Sequence, residues 1–314
     1  MSPARALSAL GATVLQRDWL SANNIVFRSD GDTPATVVDT GYARHAEMTL
    51  ALVAKALAGA APARIVNTHL HSDHCGGNRA LQSRYEVQTW IPAPSYAAAH
   101  VWDHSRLTYE LTGQLCERFR VDGVLQPGGA LALGSAIWQI HAAPGHDPEA
   151  VLLFEPETRT LISGDALWED RLAIIFPELA GDDGFGPTRQ TLEFIEALAP
   201  RQVIPGHGAV FEDVGRALAA SRRRLDAFEK HPERHGSHAA RALTMFHMME
   251  HQERDRDALE QWLLATPIFG LCARMGQAPM HPAQWAHELT AGLIGDGLLD
   301  EVEGRLTLAP VRRP

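Results

Sequence analysis

The run Asn67-Thr68-His69-Leu70-His71-Ser72-Asp73-His74-Cys75-Gly76-Gly77 decides how this chain is read. Arg64-Ile65-Val66-Asn67 leads into it as a short apolar strand. On an extended segment His69 and His71, at i and i+2, point to one side and can grip one cation. Asp73 and His74 follow where the chain turns toward a helix, so they face a different point. A second ion there would lie roughly 3.5 Å from the first, the spacing of two-metal hydrolytic centres.

Three later stretches carry matching donors: Pro144-Gly145-His146, Ser163-Gly164-Asp165 and Pro205-Gly206-His207. Each follows an apolar run that reads as a strand. His146 can complete the first site and His207 the second. Asp165 offers two oxygens and could bridge both, and Gly164 before it permits close backbone approach. Cys75 is expected to be a small packing residue, because nitrogen and oxygen donors already suffice. His100, His104, His231, His235, His238, His247 and His251 fall at no such spacing.

In this order the motifs resemble the metallo-β-lactamase-fold hydrolase superfamily, over about residues 20 to 215. The resemblance implies His69, His71 and His146 as ligands of one metal, with Asp73, His74 and His207 holding another and Asp165 shared. Asp39, in Asp39-Thr40-Gly41, matches the superfamily's early aspartate and is expected behind the ligands, orienting them. Two divalent cations are expected as cofactors. Zinc is the first choice for these donors, and manganese or iron suits the same shell. Cations sharing one water lower its pKa from about 15.7 toward 7, so a metal-bridging hydroxide is the expected nucleophile. Asp73 is the expected proton carrier.

Outward from the motifs, strands read at 24–27, 35–39, 64–67, 87–91, 131–141, 150–154, 160–163 and 202–204. Helical patterns read at 44–57, 96–118 and 190–198. Two strand clusters flanked by helices give an α/β fold, a four-layer αββα sandwich. After His207 the pattern turns helical, at 211–230, 237–251, 255–265 and 281–294, and closes on two short strands around Glu303-Gly304. Helices followed by a terminal hairpin match a winged-helix module. The expected division is therefore a catalytic domain over 1–230 and a small winged-helix-like domain over 231–314.

The formal charge of −10 argues against a globally basic nucleic-acid binder. Three widely spaced cysteines imply no disulfide framework and fit a reducing compartment. The uncharged Ala6–Leu15 stretch makes a poor secretion signal, being rich in Ala, Ser, Gly and Thr. No run reaches the ~20 apolar residues of a membrane span. A cytoplasmic protein is expected.

The substrate is less legible. β-Lactamases proper lack an aspartate bridge, so Asp165 disfavours an antibiotic as the native substrate. The quorum-sensing lactonases that the chain resembles carry a tyrosine three residues after the bridging aspartate, and Trp168 stands there instead. The expected reaction is hydrolysis of a small carboxylic ester, thioester or lactone. The alternative is an endoribonuclease of the winged-helix-bearing branch, for which Arg216, Arg222, Arg223, Arg224, Lys230, Arg234 and Arg241 speak. A solvated helix face is the preferred reading of that basic stretch. Trp168, Arg171, Phe176 and Tyr109 are candidate pocket residues, and Arg171 would suit an anionic group. The terminal hairpin could serve as an edge for a second copy of the chain.

Overall fold

The computed structural model describes residues 7–276 and 280–310; Ala6 and the outermost ends of the two expected domains lie outside the described residues. Two compact units emerge. One holds residues up to 109 together with 115–226, and the other holds 110–114 and the chain from 227 onward.

Eleven strands of the first unit form two sheets. In the first, β1 (Ala12–Leu15), β2 (Asn24–Phe27), β3 (Thr36–Val38), β4 (Arg64–Val66), β5 (Gln88–Pro92) and β6 (Gly123–Leu125) lie side by side in chain order. In the second, β7 (Ala130–Leu133), β8 (Ala136–Ala142), β9 (Val151–Glu155), β10 (Thr160–Gly164) and β11 (Gln202–Pro205) run in the order β11-β10-β9-β8-β7. Pairing is parallel from β3 through β6 and between β10 and β11, and antiparallel elsewhere. Parallel neighbours need crossovers, which helices usually supply. The helix α1 (Ala46–Ala56) lies between β3 and β4. The one-turn α2 (Ser72–Cys75) and α3 (Asn78–Arg84) lie between β4 and β5.

Side chains alternate between the two faces of the first sheet, as period-2 strands require. Val26, Val37 and Ile65 pack outward with Val53 and Ala56 of α1 and Leu81 of α3. Ile25, Phe27, Val38 and Val66 pack inward with Leu133, Trp138, Ile140, Leu153, Ile162 and Ile204 of the second sheet. Trp138 is fully buried, its ring 5.6 Å from that of Phe27 at 76°. The α/β sandwich expected from the strand clusters is therefore what forms.

Its details depart from the sequence reading in four places. The Ala6–Leu15 stretch ends in β1, an edge strand paired with β2. The span 131–141 is a hairpin, β7 and β8, turning at Gly134-Ser135. β6 was not legible, because Val124 and Leu125 stand alone between Gly123 and Gln126 and form no apolar run. The helix expected over 96–118 is only α4 (Tyr96–Val101) and the single turn α5 (Tyr109–Thr112). Trp102 takes a left-handed conformation at φ 62°, and Asp103 Oδ1 accepts from Ser105 N (2.9 Å) and Ser105 Oγ (2.7 Å). Such side-chain bonds offer the backbone an alternative to the helical ladder. Two further helices, α6 (Phe176–Ala180) and α7 (Phe185–Leu198), precede β11. α7 lies on the second sheet's outer side, with Phe194 5.0 Å from the His141 ring and Thr191 Oγ1 donating to Pro144 O at 2.7 Å.

The helix α8 (Val214–Lys230) ends at His231-Pro232, and α9 (Pro232–His251) starts on that proline. Proline suits a first helical position because its missing N–H is unpaired there anyway. The second unit continues through β12 (Glu253–Asp255), α10 (Arg256–Ala265), α11 (Pro267–Arg274), α12 (Pro282–Gly295), β13 (Leu299–Val302) and β14 (Arg305–Leu308). The three strands pair antiparallel in the order β12-β14-β13. Glu303 and Gly304 both have positive φ (51° and 78°), as a two-residue hairpin turn of primed type demands. α11 and β12 were not expected from the sequence.

Candidate metal centre

Every donor singled out in the sequence sits just past the end of a strand, at one end of the sandwich. β4 delivers His69 and His71, and α2 then carries Asp73 and His74. β8 leads to His146, β10 to Asp165 and β11 to His207, while β3 leads to Asp39. The donors gather in two groups. His69, His71 and His146 form one, and Asp73, His74, Asp165 and His207 form the other. Within each group the candidate ligand atoms lie within 4.8 Å of one another.

The groups meet at Asp165. Its Oδ1 stands 3.2 Å from His74 Nε2, and its Oδ2 stands 3.5 Å from His146 Nε2 and 4.0 Å from His207 Nε2. Within the first group, His71 Nδ1 and His146 Nε2 are 2.7 Å apart. Within the second, His207 Nε2 donates to Asp73 Oδ2 at 3.0 Å. Gly206 makes the approach of β11 possible. A Cβ there would fall 2.1 Å from Asp165 Oδ1 and 2.8 Å from His74 Cε1.

Behind the donors lies a second layer of hydrogen bonds. Asp39 is 2% exposed and held at φ 54°, a left-handed conformation that costs on the order of 1–3 kcal/mol but that aspartate tolerates better than most residues. Its Oδ1 accepts from Thr68 N (2.9 Å). Its Oδ2 accepts from Thr68 Oγ1 (2.9 Å) and His74 Nδ1 (2.8 Å). An acceptor-only carboxylate beside Nδ1 puts the proton there and aims the Nε2 lone pair into the site. Thr68 Oγ1, its own proton committed to Asp39, lies 3.1 Å from His69 Nδ1 and can accept from it. His146 Nδ1 donates to Ile174 O at 2.5 Å. Trp168 Nε1 donates to Asp165 Oδ1 at 3.1 Å.

Burial and charge then set protonation. Burial, followed by the nearby His74 and His71, pushes His69 well below the ordinary imidazole range. Burial takes His71 and His146 down to about 4. For His74 burial works in the same direction, but Asp165, Asp39 and Asp73 outweigh it and raise the group well above 6.5. Burial also works against the Asp165 carboxylate, yet His74 and His207 hold it well below its usual range. The first group thus presents neutral nitrogens, and in the second the carboxylates around His74 favour a proton that a bound cation would displace.

Three imidazoles beside two imidazoles and two carboxylates is a nitrogen–oxygen donor set suited to divalent transition metals. His69 Nε2 is buried without a hydrogen-bond partner. An orphaned buried donor or acceptor costs on the order of 1–3 kcal/mol, which a bound cation would offset. The residues present fit such a group.

The remaining site candidates divide. Phe176 packs on both His71 (4.6 Å) and His146 (5.5 Å). Trp168 is 5.3 Å from the His207 ring, and its N–H does for Asp165 what the sequence comparison with a tyrosine did not suggest. Tyr109, expected at the pocket wall, is instead a core residue. It is 5% exposed, clustered with Leu70, Ile91 and Phe119, with its hydroxyl 3.2 Å from Cys75 Sγ. The break at Trp102 turns that segment inward. Cys75 lies fully buried in the same cluster, 3.7 Å from Cys116 Sγ.

Three residues escaped the sequence reading. Thr68 lay inside the decisive run, but hydroxyls carry no ligand signature. Asp147, next to His146, places Oδ2 3.8 Å from His71 Nε2. Trp19 sits in the β1–β2 loop with its ring stacked on His207 (5.2 Å, 8°). An isolated tryptophan in a loop gives no signal at all.

Three of the basic residues of 216–241 are paired with acids. Arg216 bonds Glu169 (2.6 Å) and Asp170 (2.7 Å), Arg222 bonds Glu196 (2.8 Å), and Arg241 bonds Asp296 (2.6 Å). Among the described residues no helix is long and apolar enough to cross a membrane.

Comparison with known proteins agrees with this architecture. A family model described as the metallo-beta-lactamase superfamily matches residues 17–207. The human acyl-coenzyme A thioesterase MBLAC2 is 25% identical over 200 residues, 58% of this chain and 71% of that protein. A hydroxyacylglutathione hydrolase of Anaeromyxobacter dehalogenans (strain 2CP-C) is 30% identical over 233 residues, 72% of this chain and 78% of that protein. Among solved structures, a beta-lactamase domain protein from Burkholderia ambifaria superposes with a TM-score of 0.57 at 22% identity. That match covers 95% of this chain and 92% of the other, and it shows the fold alone.

Proposed function

The chain belongs to the metallo-beta-lactamase superfamily and is a metal-dependent hydrolase, and from that premise we propose that it hydrolyses thioesters at a pair of divalent cations. The observation that carries this reading is the place of Asp165 between the groups, its Oδ1 beside His74 and its Oδ2 within 4.0 Å of both His146 and His207. His69, His71 and His146 would hold one ion, Asp73, His74 and His207 the other, and Asp165 both. Zinc is the first choice, with manganese or iron compatible with the same donors. When bound, such a pair supplies an ionised water at neutral pH and polarises the substrate carbonyl.

The rest is the work of this chain's own side chains. Asp39 and Thr68 fix the tautomers of His74 and His69, and the Ile174 carbonyl fixes that of His146. Trp168 holds Asp165 from one side. Phe176 covers the first group and keeps bulk water from it. Asp73, close to His207 and His74, would carry the proton remaining on the attacking oxygen to the sulfur as the carbon–sulfur bond breaks.

Two relatives whose names specify thioester substrates, one of acyl-coenzyme A and one of hydroxyacylglutathione, favour a thioester over an oxygen ester or lactone. The ribonuclease alternative draws little support from the basic stretch, where Arg216, Arg222 and Arg241 are bound to carboxylates. We also propose that 231–314 is a winged-helix-like module, supported by its helices and terminal hairpin.

The test is metal analysis joined to a substrate panel. Protein loaded with zinc should hold about two equivalents and cleave a thioester faster than the matching ester, lactone or RNA oligomer. Asp165→Ala should lose both turnover and one equivalent while keeping its circular dichroism. Full activity of Asp165→Ala at full metal depletion would overturn the reading.

A further inference from the structure

We propose that Trp19 and Arg171 form a recognition site for an anionic group on the leaving thiol of the substrate. This rests on the thioester reading above. Trp19 is 38% exposed, with its ring stacked on His207 and set edge-on to Trp168 at 5.4 Å. The Arg171 guanidinium carbon lies 4.7 Å from the centre of the Trp19 ring. Together these distances put the cation no more than about 10 Å from the His207 ring, within reach of a substrate whose thioester sits at the donor groups.

The neighbours of Arg171 are what make it a binding group. Glu169 and Asp170, next to it in sequence, are taken by Arg216 at 2.6 and 2.7 Å. Asp18, beside Trp19, accepts from Leu20 N at 3.1 Å and faces His45. Among the described residues no carboxylate lies within 4.0 Å of Arg171. Arg216, Arg222 and Arg241, by contrast, are tied to acids. Arg171 rests on an indole face, an interaction of roughly 0.5–1 kcal/mol at an exposed position. Stacking leaves its in-plane N–H fork open to a carboxylate or phosphate, which a guanidinium can bind in bidentate fashion. The exposed part of the indole beside it offers an apolar edge for the body of the thiol. Carboxylate and phosphate share this chemistry, and a peptide-like thiol or a nucleotide-bearing thiol could supply either.

The experiment compares three thioesters of one acyl group on zinc-loaded protein. The thiols are glutathione, with carboxylates, coenzyme A, with phosphates, and neutral N-acetylcysteamine. Arg171→Gln should reduce the preference for an anionic over the neutral thioester about tenfold, and the change should lie in KM. Arg171→Lys should recover only part of it, since it restores charge without the fork. A loss confined to the glutathione or the coenzyme A substrate identifies which anion is read. Binding is measured in parallel by quenching of tryptophan fluorescence with S-methylglutathione and desulfo-coenzyme A, neither of which can be hydrolysed. At least one should quench the parent protein and do so about tenfold more weakly with Arg171→Gln. A preference that moves less than twofold, with quenching unchanged, overturns the proposal and leaves the thioester reading standing. Arg171-dependent quenching without cleavage of any thioester would overturn that reading and leave the anion site standing.

Discussion

Replacing Asp39 by asparagine tests whether the hydrogen bonds behind the donor groups set their affinity. The substitution keeps shape and removes charge. Asp39 accepts three hydrogen bonds, from Thr68 N, Thr68 Oγ1 and His74 Nδ1, at 2.8–2.9 Å. An amide has one oxygen, so it can keep the Thr68 backbone bond only by turning its NH2 toward Thr68 Oγ1 and His74. The hydroxyl can rotate to accept. His74 Nδ1–H cannot, and two donors then face each other in a fully buried place. The imidazole escapes by moving its proton to Nε2, the nitrogen needed for a cation. Losing one charge-assisted bond in such a place costs about 1.5–3 kcal/mol. That predicts a roughly 10- to 150-fold weaker second metal equivalent, in line with the 10- to 100-fold range for residues that orient ligands. The backbone should hold, since Asp39 N donates to Val66 O and Asn24 Nδ2 donates to Asp39 O. Competition with a chromophoric chelator measures the affinity of each equivalent. Binding of both equivalents within threefold of the parent would refute the reasoning.

Other outcomes are expected from the same geometry. Trp168→Phe keeps the ring and removes the N–H on Asp165 Oδ1, so the second equivalent should weaken about 2- to 10-fold in the same titration. Gly206→Ala should leave at most one metal per chain, because its Cβ would lie 2.1 Å from Asp165 Oδ1; elemental analysis of the purified variant decides it. In the second unit, burial holds His247 down to about 3 and His235 to about 4, against 6.5 when unfolded. Between those values the unfolded chain binds the extra protons. Stability is therefore full above pH 6.5 and falls as pH drops toward 4. Urea unfolding followed by tryptophan fluorescence should show that loss, and it should shrink in His247→Gln.

The donors were legible because metal chemistry restricts residue type and spacing together. His69-x-His71-x-Asp73-His74 and the Gly-flanked His146, Asp165 and His207 leave few other readings, and the structure gathers all seven at one end of the sandwich. Strands that showed alternation or an apolar run were legible too. What failed was set by tertiary context. β1 lies in a stretch of small residues and β6 has only Val124 and Leu125 after a glycine, and each pairs with the edge of a neighbouring strand. Trp102 carries no hint that it will end a helix, and the turn depends on Asp103 bonding Ser105. Trp19 reaches His207 across nearly two hundred positions of sequence, so only the folded chain reveals it.

The donors come from both sheets: His69, His71, Asp73 and His74 from one side of the sandwich, His146, Asp165 and His207 from the other. A cation bound here therefore works as a rivet through two plates. Its uptake and the closing of the plates become one cooperative event, so the ion's affinity enters directly into the melting temperature of the whole unit. Stripping it should soften every strand together, and hydrogen exchange should register that loss as deeply at Trp138 as beside His69.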